Sequence, residues 1–275
     1  MAISTASQFT IAGFPAIQAG SPSERPPVLF VHGAFVDHVS FAPWIEYFGA
    51  RGWYCVAASR RGRAGVGPDR ANGLSIADYV EDTLKVADSL GQTPIIVGHS
   101  LGGLIAQKLA ELGKARALVL LAPAPAKALP AQPVALPAYL PMMPNIIAGR
   151  PILPSAKGCA TIALNRMPAE ACPALHATLV HESGKVYREM IFGTFKVDFS
   201  KIHCPSIVIG GREDRIVAPA IVSWTAEKLG VRAKIVEGHA HWLLEEAGWQ
   251  EIAAEIADFL VAIGADKLKP IRRSA

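Results

Sequence analysis

The feature that most constrains this 275-residue sequence is Gly98-His99-Ser100-Leu101-Gly102-Gly103, set between the apolar run Ile95-Ile96-Val97 and a helical run from about Leu101 to Leu112. A strand that becomes a helix within so few residues must turn sharply, and the serine at the apex takes a strained backbone conformation. Residues two before and two after the apex approach too closely for side chains, which accounts for glycine at 98 and 102. The serine Oγ then stands free at the carboxyl end of the sheet, and the helix behind it points its positive end at the site. A bare G-x-S-x-G arises often by chance. Its setting, strand before and helix after, is what marks Ser100 as a candidate nucleophile.

The rest of the chain alternates in keeping with that turn. A hairpin is expected at Phe9 to Ala12 and Ala16 to Ala19, then strands at Val28–Val31, Trp53–Ala58, Ile95–Val97, Ala117–Leu121, Ile207–Ile209 and Lys234–Val236. Helices are expected at Trp44–Arg51, from Ser75 to Gly91, at Pro219–Leu229 and at Trp249–Ala262. In the second, Ile76, Val80, Leu84 and Ala87 recur at helical spacing, Ser75 is placed to cap the start with Asp78 three residues on, and Gly91 to end it. The pattern predicts an α/β fold with a mostly parallel, eight-stranded sheet flanked by helices. Residues 123–197 break the alternation: eleven prolines lie between Pro123 and Pro173, and Leu136, Tyr139, Leu140, Met142 and Met143 crowd together. Proline interrupts helices and central strands, and long excursions from compact domains tend to be lids. The expected division is therefore a core of 1–122 and 198–275 with a cap, 123–197, inserted after the sixth strand.

A serine hydroxyl needs a base. On a fold with such an elbow the acid and then the histidine follow later in the chain. Of eight histidines only His239 and His241 lie beyond the last expected strand; His241, which leads through Trp242 towards the final helix, is the candidate base. Asp214, in Gly210-Gly211-Arg212-Glu213-Asp214 directly after Ile207–Ile209, is the candidate acid, with Glu213 its rival. Its carboxylate would accept the histidine Nδ1–H and fix the tautomer. Acyl transfer also requires donors for the oxyanion: the N–H of Leu101, after the nucleophile, and that of Ala34, in the loop His32-Gly33-Ala34-Phe35 after the first inner strand. His99 is expected to pack beneath the elbow.

Composition narrows the classes. A net charge of +4 from 27 basic and 23 acidic residues, dispersed along the chain, gives no reason to expect a nucleic-acid partner, and Arg272 and Arg273 read as a polar tail. No window carries about 18 uninterrupted apolar residues, so no membrane span is expected. Met1 to Gln8 has neither the charge nor the apolar stretch of a signal peptide. The cysteines, at 55, 159, 172 and 204, have no metal-ligand spacing, and reduced thiols in the cytoplasm are expected.

Taken in order, the His32-Gly33-Ala34 loop, the Ser100 elbow, the Asp214 loop and the His241 loop resemble the α/β-hydrolase superfamily across nearly the whole chain. Ala77-Asp78-Tyr79-Val80-Glu81-Asp82 and Gly248-Trp249 are similar to its small esterase-like and lysophospholipase-like members. The resemblance implies the α/β-hydrolase fold with an inserted cap, a serine hydrolase working through an acyl-enzyme, and neither metal nor organic cofactor. One departure is Ala64, in Arg61-Gly62-Arg63-Ala64-Gly65-Val66, where many members carry glycine. The expected substrate is a small, partly apolar ester met by Phe35, Tyr139, Met142, Met143 and Trp242. Lactone, thioester, amide, carbon–carbon and perhydrolytic chemistry suit the same triad. A ligand-binding receptor on this scaffold is the alternative of another class, and the oligomeric state is left open.

Overall fold

A computed structural model describes residues 6–63 and 68–265; Ala64 and the Arg272-Arg273 tail fall outside the described residues. Eight strands form one sheet: β1 (Ser7–Ile11), β2 (Phe14–Ala19), β3 (Val28–Val31), β4 (Cys55–Ala58), β5 (Ile95–His99), β6 (Ala117–Leu121), β7 (Ser206–Gly211) and β8 (Ala233–Val236). Their spatial order is β1-β2-β4-β3-β5-β6-β7-β8. The β1–β2 hairpin joins antiparallel at one edge, and all pairings from β4 across to β8 are parallel.

The central strands are apolar because both faces of the sheet are covered. Side chains alternate between two cores. Leu29, Ile96, Leu118 and Val208 pack towards α2 (Ile76–Ser89), α3 (Leu101–Glu111) and α9 (Pro219–Lys228), among Tyr79, Leu104 and Val222. Phe30, Val97, Val119 and Ile209 face α1 (Ala42–Gly49) and α10 (Trp249–Ala262), among Trp44, Phe48 and Ile256. Trp44 lies fully buried in this second core, and its indole N–H donates to Leu244 O at 2.9 Å. That bond fastens the first helix to the loop preceding the last one.

Between β6 and β7 the structure holds more order than the prolines led us to expect. Five short helices occupy the excursion: α4 (Leu136–Tyr139), α5 (Met143–Ala148), α6 (Ala156–Ile162), α7 (Cys172–Ala177) and α8 (Gly184–Phe192). Pro137, Pro144 and Pro173 each stand within the first two positions of a helix, where the missing N–H has no partner to lose. The prolines here begin helices instead of breaking them. An antiparallel bridge between Ile152 and Glu182 ties the start of α8 back across the excursion.

The expected cap on α2 is present in both directions: Ser75 Oγ accepts from Asp78 N–H, and Asp78 Oδ2 accepts from Ser75 N–H at 2.8 Å. Ser75→Ala is expected to lower the free energy of unfolding by about 1 kcal/mol, read from the urea midpoint at unchanged slope.

Candidate active site

The parallel sheet presents the carboxyl ends of β3, β5, β7 and β8 along one edge, and four loops rise from it. At the end of β5, Ser100 takes φ +54° and ψ −121°, outside the conformations that residues with a Cβ favour. The strain is held by packing. A Cβ on Gly102 would collide with the Val31 carbonyl oxygen, and one on Gly98 would lie 2.5 Å from Gly102 O. The turn can therefore close onto its own helix only with glycine at 98, and sit tightly against β3 only with glycine at 102.

Asp214 is buried at the end of the loop after β7. Its Oδ1 accepts the N–H groups of Ile216 and Val217 at 2.7 and 2.8 Å, which leaves Oδ2 directed at His241 Nδ1, 2.8 Å away. His241 Nε2 lies 3.0 Å from Ser100 Oγ. The three side chains thus form one hydrogen-bonded line. Glu213, the rival acid, points to the surface beside Arg166. His239 sits on the histidine loop, with its Nδ1 3.2 Å from the Glu237 carbonyl oxygen and no contact to Ser100.

Two residues to which sequence reading gave no part in holding the base support the imidazole. The Glu246 carboxylate accepts from Ala240 N–H at 2.8 Å and Trp242 N–H at 3.1 Å, clamping the backbone on both sides of His241. Burial raises the pKa of that carboxyl, and the Ala240 N–H opposes the shift. His99, expected only to pack beneath the elbow, also donates from Nε2 to His241 O at 2.8 Å. Burial pulls His99 down to about 3, so it is a neutral donor.

The loop after β3 runs beside the elbow. Gly33 approaches Ser100 so closely that a Cβ there would be 3.3 Å from the serine Cβ. Among the described residues, the N–H groups of Ala34 and Leu101 donate to no protein acceptor. Phe35 takes φ +62°, and its carbonyl is held by Val180 N–H at 2.7 Å.

Residues 28–255 match the model of the alpha/beta hydrolase family. The chain belongs to that family. As a family member it is a hydrolase acting on a small molecule. No curated protein matches it in sequence. Solved structures with the same fold include a monoacylglycerol lipase from Paleococcus ferrophilus (22% identity, TM-score 0.71, 90% of this chain and 98% of that one). An enol-lactonase from Burkholderia xenovorans LB400 is similar at 19% identity and TM-score 0.68, over 93% of this chain and 100% of that one. A thioesterase domain from the curacin biosynthetic pathway is similar at 18% identity and TM-score 0.59, over 93% and 98%. No helix among the described residues of this hydrolase is long and apolar enough to cross a membrane.

Two apolar cavities of the hydrolase meet at Ser100. The smaller, about 70 Å³, is bordered by Ala34 and His241 together with Phe35, Tyr139, Met142 and Trp242, four of the five residues expected around substrate. The larger, about 280 Å³, is bordered by Met143, the fifth, and by Leu129, Leu136, Leu140 and Met190. Tyr139, Tyr187 and Ile216 border both and stand between them. The excursion between β6 and β7 supplies most of these walls and is bonded to the loop that carries Asp214. Gln132 donates to Asp214 O at 2.9 Å, Asn165 to Glu213 O at 3.1 Å, and Arg215 to Thr161 O at 2.8 Å.

His32 and His99 give the site a pH signature. Burial is the largest cause of both lowered pKa values, with Arg60 and Arg63 adding to it at His32 and His241 at His99. In the unfolded chain both imidazoles take up protons as the pH falls through about 6.5; in the folded chain they stay neutral. The unfolded state then binds two more protons, so stability is present above pH 6.5 and lost on acidification. Below pH 6 the loss is expected to steepen towards the two-proton limit, on the order of a few kcal/mol per pH unit, from this pair. Urea unfolding between pH 7.5 and 5.5 measures it, and His99→Gln should roughly halve the slope.

Proposed function

We propose that this hydrolase cleaves a carboxylic ester of a small, partly apolar substrate, with Ser100 as nucleophile, His241 as general base and Asp214 as its orienting acid. The observation that carries the reading is the unbroken Asp214–His241–Ser100 hydrogen-bonded line at the carboxyl edge of the sheet.

His241 Nε2 accepts the hydroxyl proton as Oγ attacks the ester carbon. The oxygen that becomes negative is met by the N–H groups of Ala34 and Leu101, which have no competing protein acceptor among the described residues. The imidazolium, stabilised by Asp214, protonates the departing alcohol, and then activates the water that releases the acid. The helix α3, starting at the nucleophile, adds its positive end.

The two cavities have different duties in this reading. The leaving oxygen takes its proton from His241, so the alcohol portion lies on the side that His241 borders. The acyl chain then occupies the larger cavity lined by Leu129, Met143 and Met190. Residues 123–197 act as the cap that closes over both. The limited space supports a preference for short to medium acyl chains. The four free thiols, three of them buried, support a cytoplasmic setting.

The decisive experiment is labelling with a fluorophosphonate beside hydrolysis of p-nitrophenyl esters of graded acyl length, with lactones, thioesters and amides as comparison. Rapid labelling lost in Ser100→Ala is expected, with ester rates peaking at short or medium chains. Absence of labelling in the native protein would favour a binding role, and rates rising steadily to long chains would overturn the acyl-length assignment. Asp214→Asn is expected to lower kcat by about 10³-fold or more through the wrong histidine tautomer, whereas Glu213→Gln stays within about twofold because its side chain faces solvent.

A further inference from the structure

Arg60 lies behind the loop that follows β3, only 2% exposed, with its charge turned onto backbone. Nη1 donates to His32 O at 2.8 Å and Nη2 to Gly33 O at 3.1 Å. Gly33 C=O and Ala34 N–H are the two ends of one peptide unit. That unit is planar and trans, so its C=O and N–H bonds point in opposite directions. A donor that holds the carbonyl on one side also directs the N–H to the other.

We propose that Arg60 is a positioning residue for the oxyanion site, orienting and polarising the Gly33–Ala34 peptide so that Ala34 N–H meets the developing negative charge. The inference rests on the donor role given to Ala34 above. A cation bound at the carbonyl oxygen draws electron density through the amide and makes its N–H a stronger donor. Arg60 keeps that charge at neutral pH: burial, with repulsion from Arg63, lowers its pKa only to about 10.

The arginine is rigidly seated. Its guanidinium stands 4.9 Å over the Tyr79 ring. Tyr79 OH donates to Glu182 Oε1 at 2.7 Å, and the same carboxylate takes Ser183 N–H at 2.8 Å and the Arg63 guanidinium. The other proposed donor has an equivalent anchor. Leu101 N–H shares its peptide with Ser100 C=O, whose oxygen accepts from Gly103, Leu104 and Ala124 N–H at 2.9, 3.3 and 2.9 Å. The start of α3 and Ala124 thus fix the elbow peptide, and Arg60, beside His32 Nδ1 at 3.0 Å from the same Gly33 oxygen, does so for the loop after β3.

The test compares Arg60→Met and Arg60→Lys with the native protein, rates being expressed per active site after fluorophosphonate labelling is run to completion. Arg60→Met should lower kcat for a p-nitrophenyl ester at least tenfold with KM within twofold. Affinity for an alkyl boronic acid, which forms a tetrahedral adduct on serine, should fall in proportion to kcat/KM. Arg60→Lys, keeping charge and one donor, should recover part of both. A kcat within twofold of native in Arg60→Met, an unchanged boronate affinity, a loss carried by KM, or equal losses in the Met and Lys variants would each overturn the proposal. Should Arg60→Met yield no labelled sites, Arg60→Gln is read by the same criteria; no labelled sites in either neutral variant would make Arg60 a folding residue and overturn the proposal too. Ser100→Ala separates the two levels: retained hydrolysis there defeats the nucleophile reading itself, whereas its loss beside native rates in the Arg60 variants defeats only the role of Arg60.

Discussion

The bond between Asp214 Oδ2 and His241 Nδ1 is the contact on which the rest of the site depends. It joins the loop after β7 to the loop after β8, and it decides which nitrogen of the imidazole faces Ser100. Each partner is prepared for it by backbone. Two N–H groups occupy the other oxygen of Asp214, so the carboxylate has one direction left. Glu246 holds the peptides on either side of His241, and His99 holds its carbonyl. Gly211 allows this meeting: a Cβ there would come within 2.5 Å of His239 O, so any side chain would push the two loops apart.

Much of this was legible in the sequence, for reasons that differ by residue. The Ser100 turn declares itself because its glycines answer to a local steric conflict, visible within six consecutive residues. The strands are legible because burial on both faces leaves nearly unbroken apolar runs, such as Val28–Val31 and Ala117–Leu121. Asp214 and Glu213 follow the same strand as neighbours, so place in the sequence does not separate them; their directions do, since one faces inwards onto backbone N–H groups and the other faces Arg166 and solvent.

What stayed hidden depends on distant partners. Arg60 bonds to residues 27 and 28 positions earlier, and Arg63 meets Glu182 across 119 positions. Glu246 is near His241 in sequence, yet nothing in its neighbourhood distinguishes it from Glu245. The helices of the excursion are four to nine residues long, too short to show a period, and their prolines carry the opposite meaning to the one usually drawn from them.

The hydrogen bonds that Gln132, Asn165 and Val180 donate to the acid loop and the β3 loop, and the one that the Thr161 carbonyl accepts from Arg215, bear on how such a protein can be altered. A segment that builds the cavity walls and also braces the loops around Ser100 and Asp214 is not an interchangeable module. Transplanting a foreign insertion between β6 and β7 would replace the cavity walls and remove those braces together, whereas single replacements along the walls leave the braces in place.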